Sequence, residues 1–276
     1  MRPIPVCLLL ASLLASAGHG AVTRDIDYLS HSDYAESKDR LDVHMPEGVP
    51  GAPVLVYFHG GALMFGDKSL GDPVAERLLP LGIGVVSANY RLSPAFRHPA
   101  HVADAAAALA WTVRHIAEYG GDPEQVYVAG HSAGAYLAAL LMLDASHLDA
   151  HGLNTDAIAG GVLISPFLYV EETAPERPLT VWGADPEGWL AASVTPHIAS
   201  GRPPILLLFA DADDAWRQAQ IRRFAAALRD HGNSAIDLEL SDRDHRSLIS
   251  RILEVDDRIG AHVSSWIGGL QTPHRG

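Results

Sequence analysis

Gly130-His131-Ser132-Ala133-Gly134 sets a serine between two glycines where an apolar run, Gln125 to Ala129, gives way to the Ala- and Leu-rich stretch Ala133 to Leu143. A strand that passes into a helix through so tight a turn is the setting of a nucleophile elbow. The serine sits on a strained corner, and glycines two residues either side let the strand and helix backbones pass closely. Such a serine supports acyl transfer through a covalent intermediate. The five-residue pattern is cheap in a chain with 25 glycines among 276 residues, and a helix-capping serine in a plain turn would carry it too. The strand-to-helix placement is what gives it weight.

Acyl transfer also needs N–H donors aimed at the developing oxyanion, a base and an orienting acid. The apolar run Pro53 to Phe58 leads straight into His59-Gly60-Gly61, whose glycines can turn backbone N–H groups toward the serine, and Ala133 follows the serine itself. Gly60, Gly61 and Ala133 are therefore the candidate oxyanion hole, although a glycine loop closing a strand is the plainer reading of residues 59–61. In this setting acid and base follow the serine in that order, after later strands. Ile205 to Phe209 ends in Asp211, Asp213 and Asp214, one of which can orient a histidine. Asp211 reads as a solvated loop charge or a helix N-terminal group. His245 stands on the loop after the last strand, Ala235 to Leu240, and is the candidate base. His231 at a helix end, His262 within the final helix and His274 in the tail read as surface residues, and His131 as a packing residue or a support for the site rather than a base, facing away at the elbow.

The elements that must position these residues are runs of β-forming character at Arg40 to His44, Pro53 to Phe58, Gly84 to Asn89, Gln125 to Ala129, Gly161 to Ile164, Ile205 to Phe209 and Ala235 to Leu240. Most are apolar throughout, which means burial on both faces, the property of a parallel sheet covered by helices. Helical stretches at Val102 to Tyr119, Ala133 to Leu143, Trp216 to Asp230 and Ser247 to Trp266 alternate with them. The expectation is a doubly wound, mostly parallel α/β sheet of about eight strands in one domain over residues 21–276, with no internal repeat. Residues 166–203, rich in proline and aromatics, read equally well as a cover over a pocket or a packed surface excursion.

Hydrophobic residues make up 48% of the chain and the net charge is −13. That composition buries a core, and it disfavours phosphate backbones, so nucleic acid is excluded as a partner. Residues 1–20 join Arg2, an apolar run from Ile4 to Leu14 and Ala15-Ser16-Ala17, the pattern of a cleaved secretory signal peptide; the run is short of the roughly 20 apolar residues that span a bilayer. Secreted or periplasmic localisation is the expectation, without stable membrane insertion after cleavage. Cleavage removes Cys7, the single cysteine, so the mature chain has no disulfide. The aspartates after Phe209 lack the glycine and closing glutamate of a calcium loop, and there is no HExxH or cysteine pair, so no metal or cofactor is expected.

The chain resembles the α/β-hydrolase family, specifically the hormone-sensitive-lipase-like carboxylesterases and the related arylformamidase-like esterases. Besides His59-Gly60-Gly61 and the Ser132 elbow, the resemblance runs through Leu41-Asp42-Val43, Gly66-Asp67-Lys68, Tyr90 to Pro94 and Gly120 to Pro123. It implies the triad Ser132, Asp213 and His245, the choice among the carboxylates falling on Asp213 because Arg217-Gln218 follows it as in such relatives. Leu63 stands where arylformamidase-like members have tryptophan, and Arg246 where an aromatic residue follows the histidine. The helical cap of many lipase-like relatives is missing from the pattern, which implies an open or lightly covered site. The activity implied is hydrolysis of small to medium acyl esters through an acyl-enzyme. The alternatives are an arylformamidase-type amide hydrolase, against which a secretion signal argues, and a non-catalytic hydrolase-fold binding protein.

Overall fold

The computed structural model describes residues 20–29, 37–173 and 176–271. The leader expected over 1–20 therefore lies almost wholly outside the described residues, as do Cys7 and His274. Eight strands form one sheet: β1 (Ala21–Asp27), β2 (Arg40–Met45), β3 (Ala52–Phe58), β4 (Gly84–Ala88), β5 (Gly121–His131), β6 (Gly160–Ile164), β7 (Ile205–Ala210) and β8 (Ala235–Leu240). Their order is β1-β2-β4-β3-β5-β6-β7-β8. β1 and β2 run antiparallel at one edge, and from β4 onward neighbouring strands are parallel. The helices are α1 (Asp72–Leu78), α2 (Ala100–His115), α3 (Ala133–Leu143), α4 (Ser146–Asp149), α5 (Glu176–Val181), α6 (Pro186–Ala192), α7 (Ala215–Asp230), α8 (Ser247–Ser250) and α9 (Ile259–Gln271).

The continuous apolar runs have a two-sided cause. Along β3, Val54, Val56 and Phe58 enter the core on one face, while Leu55 and Tyr57 enter the core on the other. In β7, Ile205, Leu207 and Phe209 divide from Leu206, Leu208 and Ala210 in the same way, because successive side chains leave a strand on opposite sides. α2, α3 and α7 cover the first face through Leu109, Leu137 and Phe224; α1, α8 and α9 cover the second through Leu78, Leu248 and Val263. Every residue of α3 is buried, so this helix lacks a polar face and is held by packing on all sides.

Two elements differ from the sequence reading. β1 was not among the runs read as strands because its residues are largely exposed; its pairing with β2 rests on the backbone. The stretch expected as one helix over Ser247 to Trp266 is two helices, α8 and α9, separated by residues 251–258. There Asp256 pairs with Arg243 at 2.9 Å, and Asp257 accepts from Arg77 Nε at 3.1 Å and from Gly260 N at 3.3 Å, so local polar bonds displace the helical ladder.

The first edge is locked by charge. Asp42, fully buried on β2, accepts from Lys68 Nζ at 2.7 Å and Asp25 N at 2.8 Å on one oxygen and from Arg24 Nη1 at 2.9 Å on the other. Arg24 also forks onto both oxygens of Asp72 at 3.2 Å. His44 Nε2 lies 3.4 Å from Asp72, buried and without a hydrogen bond; burial pushes the His44 imidazole below its ordinary range.

Candidate active site

The elbow has the geometry its glycines imply. Ser132 has φ +54° and ψ −113°, a strained backbone between the end of β5 and the start of α3. A Cβ on Gly130 would lie 2.3 Å from Gly134 C, and one on Gly134 would lie 1.9 Å from Phe58 O. Both positions are thus closed to any side chain.

The oxyanion loop comes up against this turn from β3. A Cβ on Gly60 would stand 2.9 Å from His131 Nδ1 and 3.4 Å from Ser132 Cβ, which places the Gly60 backbone at the serine. Gly61 has φ +125°, and its carbonyl accepts from Met64 N and Phe65 N at 2.9 Å, folding the loop back on itself. His59 braces it from below. Its ring stacks on Tyr90 at 4.3 Å, its carbonyl accepts from the Tyr90 hydroxyl at 2.7 Å, and its Nδ1 lies 2.7 Å from Gly60 O, so that nitrogen carries a proton. Burial pushes His59 down to about 4 and keeps it neutral. Ala133 opens α3, where a first-turn N–H has no intrahelical acceptor. Leu63, in place of tryptophan, is wholly buried.

His245 Nε2 lies 3.0 Å from Ser132 Oγ, and its Nδ1 lies 3.0 Å from Asp213 Oδ1. The structure brings these three side chains together in the arrangement of a nucleophile, a base and an orienting acid. Ser132 is 9% exposed, and the His245 side chain 30%, so the centre opens to solvent at its reactive end. The Asp213 side chain is fully buried. Burial pushes its carboxyl up, but hydrogen bonds from His245, Ser165 and Ala210 N outweigh that and hold it below the usual range.

The neighbouring carboxylates do other work. Asp214 precedes α7 as its N-cap, without a side-chain capping bond. Asp211 is a solvated loop charge, as expected, and it also accepts from Asp242 N at 3.1 Å and Arg243 N at 3.2 Å, tying the β7 loop to the loop that carries His245. On that loop Asp244 accepts from Ser247 N at 2.8 Å while its own N–H donates to Ser247 Oγ at 2.6 Å, a reciprocal pair of the capping-box kind. Arg246 points outward, exposed. His231 caps α7 and His262 lies in α9, as expected.

One residue at the site escaped the sequence reading, and another, expected as packing or support, lies differently from the expectation. His131 does not face away: its Nε2 donates to His245 O at 2.8 Å, and the two rings lie 4.7 Å apart. Burial drives His131 down to about 3, and a protonated His245 beside it would push it the same way, so it is a neutral brace. Ser165, just past β6, reaches both Asp213 and His245. Its backbone has φ +46°, and no sequence pattern marks a serine for that conformation. The segment 166–203 packs inward where it is described: Phe167 and Trp182 meet Tyr136 of α3, whose hydroxyl donates to Ala192 O at 2.7 Å and accepts from Trp182 Nε1 at 3.2 Å. Among the described residues, Asp42, His44 and Asp72 bring ligand atoms within 4.8 Å of one another, but Arg24 and Lys68 hold those carboxylates, and the group lies on β2 and α1 rather than beside Ser132.

The profile of the alpha/beta hydrolase fold family matches residues 55–248, from the middle of β3 to α8. The chain belongs to that family. This hydrolase-fold chain is 32% identical over 236 residues to the esterase LipQ of Mycobacterium tuberculosis, covering 79% of this chain and 55% of LipQ. To LipC of the same organism, also an esterase, it is 30% identical over 227 residues, covering 74% of this chain and 56% of LipC. It thus spans about half the length of these curated relatives. Among solved structures it is similar to an esterase of Pyrobaculum calidifontis, with a TM-score of 0.71 at 25% identity over 84% of this chain and 81% of that one. A truncated carbohydrate esterase from gut microbiota shares the fold at a TM-score of 0.76 and 18% identity, over 93% and 98% of the two chains.

Proposed function

We propose that the chain is a serine carboxylic-ester hydrolase acting on small to medium acyl esters. The observation that carries the reading is the unbroken line from Ser132 Oγ through both nitrogens of partly exposed His245 to a fully buried aspartate. His245 Nε2 takes the Ser132 proton as Oγ bonds to the ester carbonyl carbon. Gly60, Gly61 and Ala133 N–H groups receive the oxyanion, while Asp213 orients the imidazole and balances its charge. Collapse breaks the bond to the alcohol, which leaves with the proton from Nε2. A water then repeats the sequence on the acyl-enzyme and releases the acid, restoring Ser132. The relatives named esterases support the same reading.

The segment over residues 166–203 is read as a cover over the acyl pocket. Export rests on Arg2, the apolar run and Ala15-Ser16-Ala17, and sequencing the N-terminus of secreted protein tests it. The activity is tested with a short-chain p-nitrophenyl ester beside an aryl formamide. The wild type should turn over the ester with an initial burst, and Ser132→Ala, folded to the same melting temperature, should lose at least about 10⁴-fold in kcat. Equal turnover by the two proteins would remove Ser132 from the reaction; preference for the formamide would shift the reading to amide hydrolysis.

A further inference from the structure

Building on the esterase reading, we infer that Ser165 is a fourth member of the site, a positioning residue that shares the His245 Nδ1 proton with Asp213 and so fixes which nitrogen faces Ser132. Ser165 is fully buried one residue past β6, held by its N–H to Leu208 O at 2.7 Å and by Arg217 Nη1 on its carbonyl at 3.2 Å. Its Oγ lies 2.6 Å from Asp213 Oδ2 and 2.8 Å from His245 Nδ1, so the hydroxyl is nearer to that nitrogen than the carboxylate is at 3.0 Å.

Proton accounting leaves one arrangement. Ser165 has a single hydroxyl proton, and an ionised carboxylate can only accept, so the O–H points to Asp213 Oδ2. What Oγ then presents to His245 is a lone pair, and Nδ1 must carry the proton, divided between Ser165 Oγ and Asp213 Oδ1. Nε2 is left with its lone pair toward Ser132 Oγ. When Nε2 takes the Ser132 proton, the positive charge is met at Nδ1 by a carboxylate and a hydroxyl already in place. Ser165 gives up no proton in the cycle and touches no reacting atom.

The backbone supplies an independent argument. Ser165 holds φ +46°, a left-handed conformation that L side chains seldom adopt, and glycine would serve the turn with less strain. Alanine would fill the same space. What neither can replace is the hydroxyl.

Ser165→Ala and Ser165→Gly separate the hydroxyl from the strain. Both should lower kcat by on the order of 10-fold with KM unchanged, a fraction of the roughly 10²- to 10⁴-fold that a general base supplies. The glycine variant should be at least as stable as the wild type. In both, the His245 Nδ1 proton resonance should move downfield, because the proton passes to Asp213 alone and that carboxylate has lost a donor. A glycine variant with wild-type kcat and an unmoved resonance would overturn the inference, and so would a kcat lost in Ser165→Ala but regained in Ser165→Gly. The resonance is read whether or not the wild type hydrolyses esters. An inert wild type with a displaced resonance in the variants therefore sinks the esterase reading and keeps the hydrogen-bond assignment.

Discussion

Two aspartate clusters in this molecule are built from nearly the same parts and come to opposite ends. At the first edge, fully buried Asp42 gathers Lys68, Arg24 and the Asp25 N–H, with His44 close by; at the ends of β5 to β8, fully buried Asp213 gathers Ser165, His245 and the Ala210 N–H, with Arg217 close by. Around Asp42 every bond closes inward and joins β1 to the body of the sheet. Around Asp213 one chain of bonds leads outward through partly exposed His245 to a strained, nearly buried serine. A buried acid beside a histidine is therefore no sign of catalysis by itself. What distinguishes the second cluster is a partly exposed imidazole with one nitrogen facing the hydroxyl of a strained serine.

The contrast is sharpest under asparagine substitution. Asp213→Asn keeps the size of the side chain but presents an amide to His245 and favours the wrong tautomer, and ester turnover should fall by about 10³- to 10⁴-fold in steady-state assays. Asp42→Asn should leave kcat per folded molecule unchanged and instead cost about 1–3 kcal/mol in urea unfolding, because Lys68 loses the buried one of its two carboxylates while half-exposed Arg24 keeps Asp72. A catalytic loss from Asp42→Asn at intact stability would erase the distinction.

Acid should weaken the closed histidines before it touches the carboxylates. His59 is pushed by burial to about 4 and His131 to about 3, against about 6.5 in the unfolded chain. The unfolded state then takes up protons that the folded state refuses. Stability should be complete above about pH 6.5 and fall as pH drops toward 4, by about 1.4 kcal/mol per pH unit for each histidine. Asp213, whose carboxyl is depressed, acts below that window, its contribution fading only as pH falls through its folded value. Denaturation midpoints that stay flat from pH 7 to pH 5 would contradict the closed state of these rings. The smallest effect is expected at Asp214→Asn, which removes a charge but no side-chain bond. Activity should stay within about 2-fold and stability within about 0.5 kcal/mol; a large loss there would move the acid from Asp213 to its neighbour.

The parts of the fold and site that could be read from the sequence are those where steric or hydrophobic necessity leaves a mark. Gly130 and Gly134 are forced by contacts under 2.5 Å, and the two-faced burial of β3 and β7 writes an unbroken apolar run. The order of Ser132, Asp213 and His245 follows from the strands that carry them. The parts that stayed hidden are held by backbone pairing or by polar bonds between residues far apart in the chain. β1 is an exposed strand, and the bond from His131 to His245 O spans 114 positions. Ser165 adopts a left-handed backbone that no residue type announces. Apolar residues continue past Ser250, yet Asp256 and Asp257 are drawn away to Arg243 and Arg77, and the last helix breaks.

The chain between β6 and β7 leaves and re-enters the sheet through adjacent, directly paired strands, from Ile164 out to Ile205 back. Within it Phe167, Leu168, Val170, Val181, Trp182 and Val194 are buried in the core, and Tyr136, Gln220 and Arg223 bond to it from α3 and α7. The molecule is in that respect divided into a chassis and a cassette. Beyond Ser165 and its buried anchors, the exposed turns of the segment could be exchanged for ones of another length without altering the register of a strand or rebuilding Ser132, Asp213 or His245.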